Sequence, residues 1–377
     1  MTGAAADPAA PRRLLLAGGG HAHLAVLAAL ARCGASGCEV RLVSPHARQI
    51  YSGMLPGWLA GDCTLEDCTI ALAPLAARAG AAFCQTAVTG LDLEQGLASG
   101  ADGRQFGFDW LSIDTGGEPV ALPGASEHAW PVRPLERFVA AWPQRVRPWH
   151  AGRTAHRIVI VGDGAAAVEL AFTIGARARR EGAPGPTVRL LGRSATPMAE
   201  AGTWVSRQVR ARLHAHGIDW QGDSAAARID AGQVVLEGGR TVAFDSCVVA
   251  IGTAAPPWPA AAGLATDARG FIRVDRCLRS VSHSQVFAAG DVASYADARP
   301  KSGVYAVRAG PVLAANLLAA CGQRPLRPWH AQRRALTLIN TGDHRAIACW
   351  AGGSVEGRWV WRWKDRIDRA FVTSARG

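Results

Sequence analysis

The chain has 377 residues, of which 49% are hydrophobic and 19% are charged. This composition excludes an intrinsically disordered chain, and the length is enough for one large core or for two to three smaller ones. The formal net charge of +11 comes almost entirely from scattered arginines, because Lys301 and Lys364 are the only lysines. Since the chain has no Lys/Arg run, it is not predicted to bind nucleic acid.

The cysteines and the N-terminal segment bear on the cellular compartment. The nine cysteines include no C-x-x-C pair and no Cys/His cluster with zinc spacing, so no metal site is predicted. An odd number of cysteines without a secretion signal predicts reduced thiols in the cytoplasm. Residues 1–13 lack an apolar signal core and are predicted to form a flexible leader. Because no stretch reaches about 20 apolar residues, we expect a soluble protein or one attached only to a membrane surface.

The first informative stretch joins a strand to a glycine-rich turn and a helix. Residues 14–17 are apolar, Gly18, Gly20 and His21 belong to the turn, and residues 24–32 favour a helix. This order opens a dinucleotide-binding βαβ unit. Gly18 permits a tight turn, and Gly20 lets backbone N–H groups approach a pyrophosphate, which the positive end of the helix also attracts. We therefore predict a dinucleotide at this turn.

The second strand, residues 39–44, ends without the acid that holds ribose hydroxyls in the dinucleotide fingerprint. Ser44 stands at that position and Arg48 follows, while His23 replaces the third glycine. Ribose recognition therefore stays open, with Ser44 and Arg48 as candidates. The Gly/Pro spacing of residues 49–61 predicts a loop, which lies either along the cofactor or on the surface as an ordinary connection.

Cys63 and Cys68 have the C-x4-C spacing of a redox-active disulfide. On a helix, however, the two sulfurs would not reach each other without local distortion. The flanking residues also differ from those of disulfide reductases. We therefore favour an ordinary segment over a redox pair.

Two short strands end in glycine with proline close behind. Residues 109–114 lead to Thr115 and Gly116, and residues 245–251 lead to Gly252. The near-identical layout favours two chain crossings between two nucleotide domains over two unrelated strand ends.

A second strand–turn–helix unit begins at residue 157, with Gly162 and Gly164 in its turn. Two such units predict two nucleotides bound face to face, as a flavin and a nicotinamide are when they exchange a hydride. Glu169 lies in the following helix, where it either faces the nicotinamide or is an ordinary solvated residue. The next strand, residues 187–191, leads to Gly192 and Arg193, which suit a 2′-phosphate and favour NADPH, although a weakened nucleotide site explains them too.

Gly290 and Asp291 follow the apolar residues 286–289. A strand that delivers Gly-Asp to a helix start places one carboxylate where it accepts a hydrogen bond from a sugar hydroxyl. Combined with the first glycine turn, this segment predicts FAD.

The tail has alternating tryptophans, Trp359, Trp361 and Trp363, which is strand periodicity with one aromatic face. Residues 364–369 are predicted to form a helix. This segment either docks on a membrane to meet quinone or packs its aromatic face on the FAD domain or a second subunit, and we favour packing.

These motifs resemble the two-dinucleotide-binding, pyridine nucleotide-disulfide oxidoreductase superfamily over nearly the whole chain. Residues 51–57, 299–308 and 357–369 are more closely similar to one branch, the flavoprotein module that also occurs fused to selenide, water dikinase. That branch is itself similar to type II NADH dehydrogenases.

The resemblance implies that Gly18, Gly20 and Asp291 hold FAD and that Lys301 lies near the isoalloxazine or the acceptor pocket. It also implies that Gly162, Gly164 and Glu169 line the pyridine-nucleotide site. The predicted catalytic residues are Lys301 and Glu169, and the predicted cofactor-binding residues are Gly18, Gly20, His21, Ser44, Arg48, Thr115, Gly116, Gly162, Gly164, Arg193, Gly252, Gly290 and Asp291.

The predicted fold is α/β, with two Rossmann-like dinucleotide-binding domains and a small C-terminal β+α segment. The expected divisions are a leader (1–13), an FAD domain in two parts (14–122 and 253–330), an inserted NAD(P) domain (123–252) and the C-terminal segment (331–377).

The predicted function is transfer of a hydride from NAD(P)H to FAD and of electrons to a small acceptor such as a quinone. The alternatives are a thiol-, sulfur- or selenium-directed reductase and a flavin-binding sensor with a decayed NAD(P) site. We expect a cytoplasmic protein, at most peripheral on the inner face of the plasma membrane, for which a homodimer stays open.

Overall fold

The computed structural model describes residues 11–35, 37–150, 156–181, 186–297 and 299–376. Most of the predicted leader lies outside these residues. Its last two residues, Arg12 and Arg13, belong to the first strand, so the prediction of a flexible leader is wrong for them.

The first part of the chain forms a strand–helix alternation followed by an antiparallel hairpin region. Its elements are β1 (Arg12–Ala17), α1 (His21–Cys33), β2 (Cys38–Ser44), β3 (Arg48–Ile50), α2 (Leu55–Ala60), β4 (Thr69–Ala71), α3 (Leu72–Arg78), β5 (Ala81–Gln85), β6 (Val88–Asp92), β7 (Leu97–Gly100), β8 (Gln105–Gly107) and β9 (Trp110–Ile113). The predicted loop at residues 49–61 is therefore wrong in part, because it contains the end of β3 and the whole of α2.

The second part repeats the strand–helix alternation. Its elements are β10 (Glu118–Pro119), α4 (Ala125–His128), β11 (Trp130–Pro131), α5 (Leu135–Val146), β12 (Arg157–Val161), α6 (Ala165–Glu181), β13 (Thr187–Leu191), α7 (Thr203–Ala215), β14 (Ile218–Gln221), β15 (Ala226–Asp230), β16 (Gln233–Leu236), β17 (Thr241–Ala243) and β18 (Ser246–Val249).

The third part returns to the first sheet and ends in a helix. Its elements are β19 (Thr253–Ala254), α8 (Trp258–Ala261), β20 (Ile272–Arg273), β21 (Val286–Ala288), β22 (Ala293–Ser294), α9 (Gly303–Cys321), β23 (Thr337–Asn340), β24 (Ala346–Trp350), β25 (Gly353–Gly357) and α10 (Arg358–Arg376).

Two five-stranded parallel sheets carry the fold. The first has the order β21-β9-β1-β2-β5 and the second the order β11-β18-β12-β13-β14. Because β21 pairs with β9, the second sheet is inserted between two parts of the first. The central strands are mostly buried, as expected of parallel sheets covered on both faces, and Leu14, Leu15 and Leu16 are at most 1% exposed. The edge strands β5 and β14 are partly exposed. The short strands β10 and β19 pair where the chain crosses between the sheets, as the repeated glycine endings predicted.

α9 packs along α1 so closely that a side chain at Gly310 would press on Ala25 and on the α1 backbone. By length and composition α9 could cross a membrane, contrary to the prediction that no segment could. In the fold, 61% of its most apolar window is buried, as in a core helix of a soluble protein.

The C-terminal tryptophans lie on a helix, so the predicted strand over Trp359–Trp363 is wrong. α10 buries Val360, Lys364, Asp368 and Val372, which are spaced four residues apart as on one helix face. Trp359 is 57% exposed on the opposite side. Trp359 and Trp363 are four residues apart. Residues at this spacing share one face in a strand and also in a helix, so the pattern did not distinguish the two structures.

Candidate functional site

The turn between β1 and α1 is arranged around a carboxylate. Gly18 has φ +96°, which an L side chain rarely adopts. Asp114, at the end of β9, accepts hydrogen bonds on Oδ2 from the backbone N–H groups of Ala22 (2.8 Å) and His23 (3.0 Å). A side chain at Gly20 would overlap this carboxylate, so the glycine is needed for the close approach. Asp114 thus caps the positive end of α1.

Asp114 also lies between the two segments predicted to hold FAD, the first glycine turn and the Gly290–Asp291 segment. Gly290 begins a short 3-10 turn, and a side chain there would lie 2.5 Å from Asp114 Oδ1. Burial raises the pKa of Asp114 to about 7, against the lowering effect of the two N–H donors. Sequence analysis did not select Asp114, although it directly precedes Thr115 and Gly116. Gly116 (φ +74°) and Gly252 (φ +99°) lie at the two crossings between the sheets.

His23 accounts for the missing third glycine. Its ring is fully buried, with Nδ1 2.6 Å from the Gly18 carbonyl oxygen and Nε2 2.8 Å from Ser112 Oγ. Burial lowers the pKa of His23 to about 4, so the ring is neutral near pH 7. The neutral ring of His23 therefore links the glycine turn to β9. In the standard dinucleotide fingerprint, the third glycine at this position only allows the helix to pack closely on the strand.

His21 and Asp291 lie at the mouth of the same turn. Asp291 Oδ2 forms an ion pair with Arg133 Nη2 at 3.1 Å. Burial lowers the pKa of His21 to about 4, and its Nε2 is buried without a hydrogen-bond partner. An unsatisfied buried nitrogen beside a glycine turn and a buried carboxylate fits a bound group that carries hydrogen-bonding atoms, as FAD does.

The other predicted FAD-side residues differ in their surroundings. Ser44 is buried at the end of β2, close to Gly19. Arg48 is exposed and forms a surface ion pair with Glu66 (Nη1–Oε2 3.1 Å), so its charge is engaged away from the turn.

Lys301 is half-buried just before α9. Its Nζ donates to the Ala293 carbonyl oxygen at 2.5 Å and lies 3.7 Å from the centroid of the Phe271 ring. Burial lowers the pKa of Lys301 to about 8, although Asp291 and Asp267 oppose this. The other predicted catalytic residue, Glu169, pairs with a different lysine.

The second glycine turn, between β12 and α6, has the open geometry of a nucleotide site. Gly162 has φ +143°, and a side chain there would overlap the Ala250 carbonyl oxygen. Gly164 is exposed with open space around it. Asp163 Oδ2 accepts a hydrogen bond from Ser194 N–H at 2.9 Å, which holds the end of β13 against the turn. Arg193, in the segment after β13, lines an open cavity of about 250 Å³ together with Asp223 and Glu237. A glycine turn at a helix start, with open space at Gly164, fits NAD(P)H.

Glu169 is not a solvated helix residue. Its side chain is 16% exposed, its Oε1 accepts a hydrogen bond from Asn340 N–H at 2.7 Å, and the same oxygen lies 3.8 Å from Lys364 Nζ. Burial raises the pKa of Glu169 to about 7, and the nearby ammonium of Lys364 limits the rise. That Glu169 faces the nicotinamide stays a prediction.

Lys364 connects α10 with two other parts of the chain. Its Nζ donates to Asp368 Oδ2 at 2.7 Å and to the Gly53 carbonyl oxygen at 2.6 Å. The Tyr51 hydroxyl donates to Asp368 Oδ1 at 3.2 Å. Burial lowers the pKa of Lys364, but the carboxylates of Glu169 and Asp368 outweigh it and raise the pKa. Lys364 is therefore a buried ammonium between two carboxylates.

A cleft opens beside this cluster, between the α2 region and α10, and we call it the α2–α10 cleft. Its lining residues are Gly53, Met54, Gly57, Asp62, Cys63, Asn340, Trp361, Lys364, Asp365 and Asp368. Both carboxylate oxygens of Asp62 are buried without a hydrogen-bond partner. The cleft was not predicted from the sequence. Its signal there was that residues 51–57 and 357–369, which supply most of its lining, both carry the branch-specific resemblance.

Cys63 and Cys68 lie closer than expected. Their Sγ atoms are 3.6 Å apart, because the segment is a turn held by Thr64 and Asp67 followed by a 3-10 turn, rather than an α-helix. An α-helix would have kept the sulfurs apart, but this segment is not an α-helix, and the preference for an ordinary segment over a redox pair stays a prediction. All nine cysteines are free thiols. Among the described residues, no group of three or more His, Cys, Asp or Glu side chains could hold a metal ion.

Comparison with known proteins places these features in context. A family model described as "Pyridine nucleotide-disulphide oxidoreductase" matches residues 12–310. The chain is 27% identical over 339 residues to demethylphylloquinone reductase NdbB of Synechocystis, with 86% of this chain and 83% of that protein aligned. It is 26% identical over 243 residues to a NADH dehydrogenase-like protein of Mycobacterium tuberculosis, with 62% of this chain aligned. That alignment spans 60% of the mycobacterial protein's length.

Solved structures agree on the fold. Sulfide:quinone oxidoreductase of Aquifex aeolicus superposes with a TM-score of 0.82 at 18% identity, over 97% of this chain and 91% of that one. NDH2 of Plasmodium falciparum superposes with a TM-score of 0.82 at 11% identity, over 97% of both chains. At these identities the likeness establishes two Rossmann-like domains and nothing finer.

Proposed function

The chain belongs to the pyridine nucleotide-disulphide oxidoreductase family, and from this premise we propose that it passes electrons from NAD(P)H to a quinone. The enzyme class, an NAD(P)H oxidoreductase, and the cofactors FAD and NAD(P)H follow from the family membership. When bound, FAD supplies the redox chemistry, accepting a hydride from the nicotinamide and passing electrons to the acceptor. The protein binds and orients the three molecules.

Each glycine turn has its own role in this proposal. The first turn, with His21 and the Gly290–Asp291 segment beside it, would hold FAD. The turn at Gly162 and Gly164 would hold NAD(P)H at the start of α6. Lys301, before α9, would contribute positive charge on the FAD side.

The choice of a quinone as the acceptor rests on the α2–α10 cleft. It combines apolar side chains, Met54 and Trp361, with the polar groups of Asp62 and Lys364. A quinone has a flat apolar ring with oxygen atoms at opposite ends, and these side chains match it in chemistry. The cavity between them is only about 30 Å³, so the cleft would have to widen to admit the ring. The aligned relative in Synechocystis is named as a demethylphylloquinone reductase, which supports a quinoid acceptor.

The test separates the two half-reactions. The holoenzyme is mixed anaerobically with NADH or NADPH, and the flavin absorbance is followed by stopped flow. Bleaching within seconds supports the dehydrogenase half-reaction, and its absence with both nucleotides refutes the proposal. Steady-state turnover with a short-chain quinone then tests the acceptor. We expect Trp361→Ala to raise KM for the quinone with unchanged bleaching, whereas an unchanged KM contradicts the cleft as the acceptor site.

We further propose that the enzyme works at the inner face of the plasma membrane. Of the eight large hydrophobic side chains exposed in the described part of the chain, six lie on α10, the β24–β25 hairpin and α7: Trp204, Trp350, Val355, Trp359, Trp363 and Ile367. Trp359 and Trp363 stack on the outer face of α10, with ring centroids 6.3 Å apart. Exposed arginines, Arg362 and Arg366, flank them. Tryptophan beside arginine suits the interface of an anionic bilayer.

Vesicle sedimentation tests this location. We expect the protein to bind vesicles of phosphatidylglycerol and phosphatidylcholine but not of phosphatidylcholine alone. Trp359→Ser with Trp363→Ser should abolish binding, and Leu65→Ser, an exposed apolar residue elsewhere, should not. Equal binding by the double variant contradicts the proposal. If these substitutions instead dissociate a dimer in analytical ultracentrifugation, the surface contacts a second copy of the chain.

One observation favours a second candidate function, a thiol-directed reductase. The 3.6 Å separation of Cys63 and Cys68 allows a disulfide to form after a small rotation, and Cys63 lines the α2–α10 cleft. A disulfide substrate would then exchange with this pair before reduction. Replacing both cysteines by serine would abolish such an activity, whereas NAD(P)H would still bleach the flavin.

A further inference from the structure

Cys63 and Cys68 form a thiol pair whose two members differ in accessibility. Cys63 is half-buried, whereas Cys68 is 0% exposed, and their Sγ atoms are 3.6 Å apart. The hydrogen bond from the Cys68 thiol lowers the pKa of Cys63, with a smaller effect from Arg369, and the same bond together with burial raises the pKa of Cys68. Because a thiolate is the nucleophile in disulfide exchange, the accessible Cys63 attacks first and the buried Cys68 follows.

The turn that carries this pair is fastened to the end of α10. Arg376 Nη2 donates to the carbonyl oxygens of Glu66 and of Thr69, the latter at 2.7 Å, and Arg376 Nε donates to the Thr69 carbonyl oxygen at 3.2 Å. The two acceptors lie on either side of Cys68 in the chain. Any contraction of the turn over residues 63–68 therefore moves the groups that hold the last turn of α10.

The end of α10 in turn covers the first glycine turn. The Phe371 ring stacks on Tyr51, with ring centroids 4.4 Å apart, and lies 5.9 Å from the ring of His21, the first residue of α1. Tyr51 is also bonded to the thiol pair, because its N–H donates to the Cys68 carbonyl oxygen at 2.8 Å. With FAD at this turn, a point on which the inference rests on the proposed function, α10 is placed to retain the cofactor.

We propose that Cys63 and Cys68 form a redox switch that controls how firmly α10 retains FAD. The oxidant is RSSR, the disulfide of a low-molecular-weight thiol. The Cys63 thiolate attacks one sulfur of RSSR, the S–S bond breaks, and the departing thiolate takes up the proton that Cys63 had lost. Cys68 then attacks Cys63 Sγ, and its proton goes to the second departing thiolate. Two cysteine thiols are thus oxidised to one disulfide while RSSR is reduced to two RSH.

Oxidation changes the shape of the turn. A disulfide requires a sulfur–sulfur distance of about 2 Å, whereas the two thiols are 3.6 Å apart, so the turn must contract. The Cys68 thiol also loses the proton with which it contacts the carbonyl oxygens of Thr64 at 3.4 Å and Met54 at 3.6 Å. Both changes displace the acceptors of the Arg376 guanidinium. The end of α10 is then held less firmly, and FAD dissociates faster.

The rate of FAD release from the holoenzyme tests this switch. The protein is incubated with glutathione disulfide or with glutathione, the Cys63–Cys68 bond is checked by mass spectrometry, and release after dilution is followed by the fluorescence of free flavin. We expect oxidation to accelerate release roughly 10-fold, the effect of losing one hydrogen bond from a charged donor. Cys63→Ser should not respond to the oxidant. Cys277→Ser, which removes a half-buried thiol elsewhere, should respond as wild type does.

Arg376→Gln isolates the connection between the turn and α10. This variant keeps both cysteines but lacks the guanidinium, so it should release FAD at the fast rate whether or not the disulfide is present. Hydrogen–deuterium exchange of residues 369–376 is a second readout, and it should be roughly 10-fold faster in oxidised than in reduced wild type. Arg366→Gln, which changes an exposed arginine on the same helix, should behave as wild type.

The outcomes distinguish this inference from the proposed function. A protein that binds no FAD contradicts the proposed function. A holoenzyme in which the disulfide does not form, or forms without a change in FAD release or in the exchange of α10, overturns the switch. If NAD(P)H reopens the disulfide under anaerobic conditions, the pair belongs to the electron path of a thiol-directed reductase, and this result also overturns the switch.

Discussion

Replacement of Asp114 by asparagine should stabilise the protein at neutral and alkaline pH. The carboxylate is 2% exposed and accepts hydrogen bonds from Ala22 N–H and His23 N–H. An asparagine carbonyl oxygen accepts the same two hydrogen bonds without a buried charge. The substitution therefore keeps the geometry of the α1 turn and removes the cost of ionising a buried acid.

The magnitude and its sign follow from the pKa of Asp114. Burial raises this pKa from 3.8 to about 7. Between these values the folded protein holds a proton that the unfolded chain has lost, so the free energy of unfolding falls as the pH rises. The loss is about 1.4 kcal/mol for each pH unit, or about 4 kcal/mol over the whole interval, and it is complete above pH 7. Between pH 5 and pH 7 we expect about 2 to 3 kcal/mol.

Urea unfolding of wild type and Asp114→Asn at pH 5, 6, 7 and 8 measures this difference. The variant should gain relative to wild type by about 2 to 3 kcal/mol between pH 5 and pH 7 and then stay level. Because Glu169 titrates in the same range in both proteins, its contribution cancels in the comparison. Glu94→Gln, an exposed acid in a hairpin turn, should follow wild type. A pH-independent difference between wild type and Asp114→Asn would refute the reasoning.

Three further predictions follow from single contacts. Arg193→Ala should weaken NADPH binding roughly 10-fold and NADH binding less than about 3-fold, measured by fluorescence titration, because a guanidinium adds a charge-assisted bond only to the 2′-phosphate; equal losses would contradict a phosphate contact. Cys63→Ser should lower by two the number of thiols that a mild disulfide reagent oxidises rapidly, counted by mass spectrometry, since Cys68 then lacks a partner at 3.6 Å; an unchanged count would show that the pair does not react. Ser112→Ala should lower the free energy of unfolding by about 1 to 3 kcal/mol, because His23 Nε2 loses its partner inside the core; an unaffected urea midpoint would argue against this hydrogen bond.

The architecture could be predicted because its signals are local. A glycine turn between an apolar strand and a helix occupies about ten neighbouring residues, and two copies of it predicted both parallel sheets. The strand over Thr187–Leu191 was identified with the bounds that the structure has. The resemblance to a known family is confirmed by the match over residues 12–310.

Parts of the site could not be predicted because they depend on contacts between distant segments. Lys364 and Glu169 are 195 residues apart in sequence and meet only when α10 packs against α6. Either residue taken alone is an ordinary charged side chain. Arg48 is the opposite case. Its position in the sequence, just after the ribose strand, made it a candidate for cofactor binding, but in the structure it pairs with Glu66 at the surface.

By itself the sequence determined the two dinucleotide-binding units, the strand, glycine turn and helix that open each of them, the class of cofactors and the family. Only the tertiary structure decided that Asp114 caps α1, that Cys63 and Cys68 meet, and that Trp359 and Trp363 lie on the outer face of a helix whose inner face carries Lys364. The reason is that backbone geometry and helix dipoles act over a few neighbouring residues, so their signals are written locally in the chain. Burial and electrostatic coupling arise between surfaces that come together only on folding.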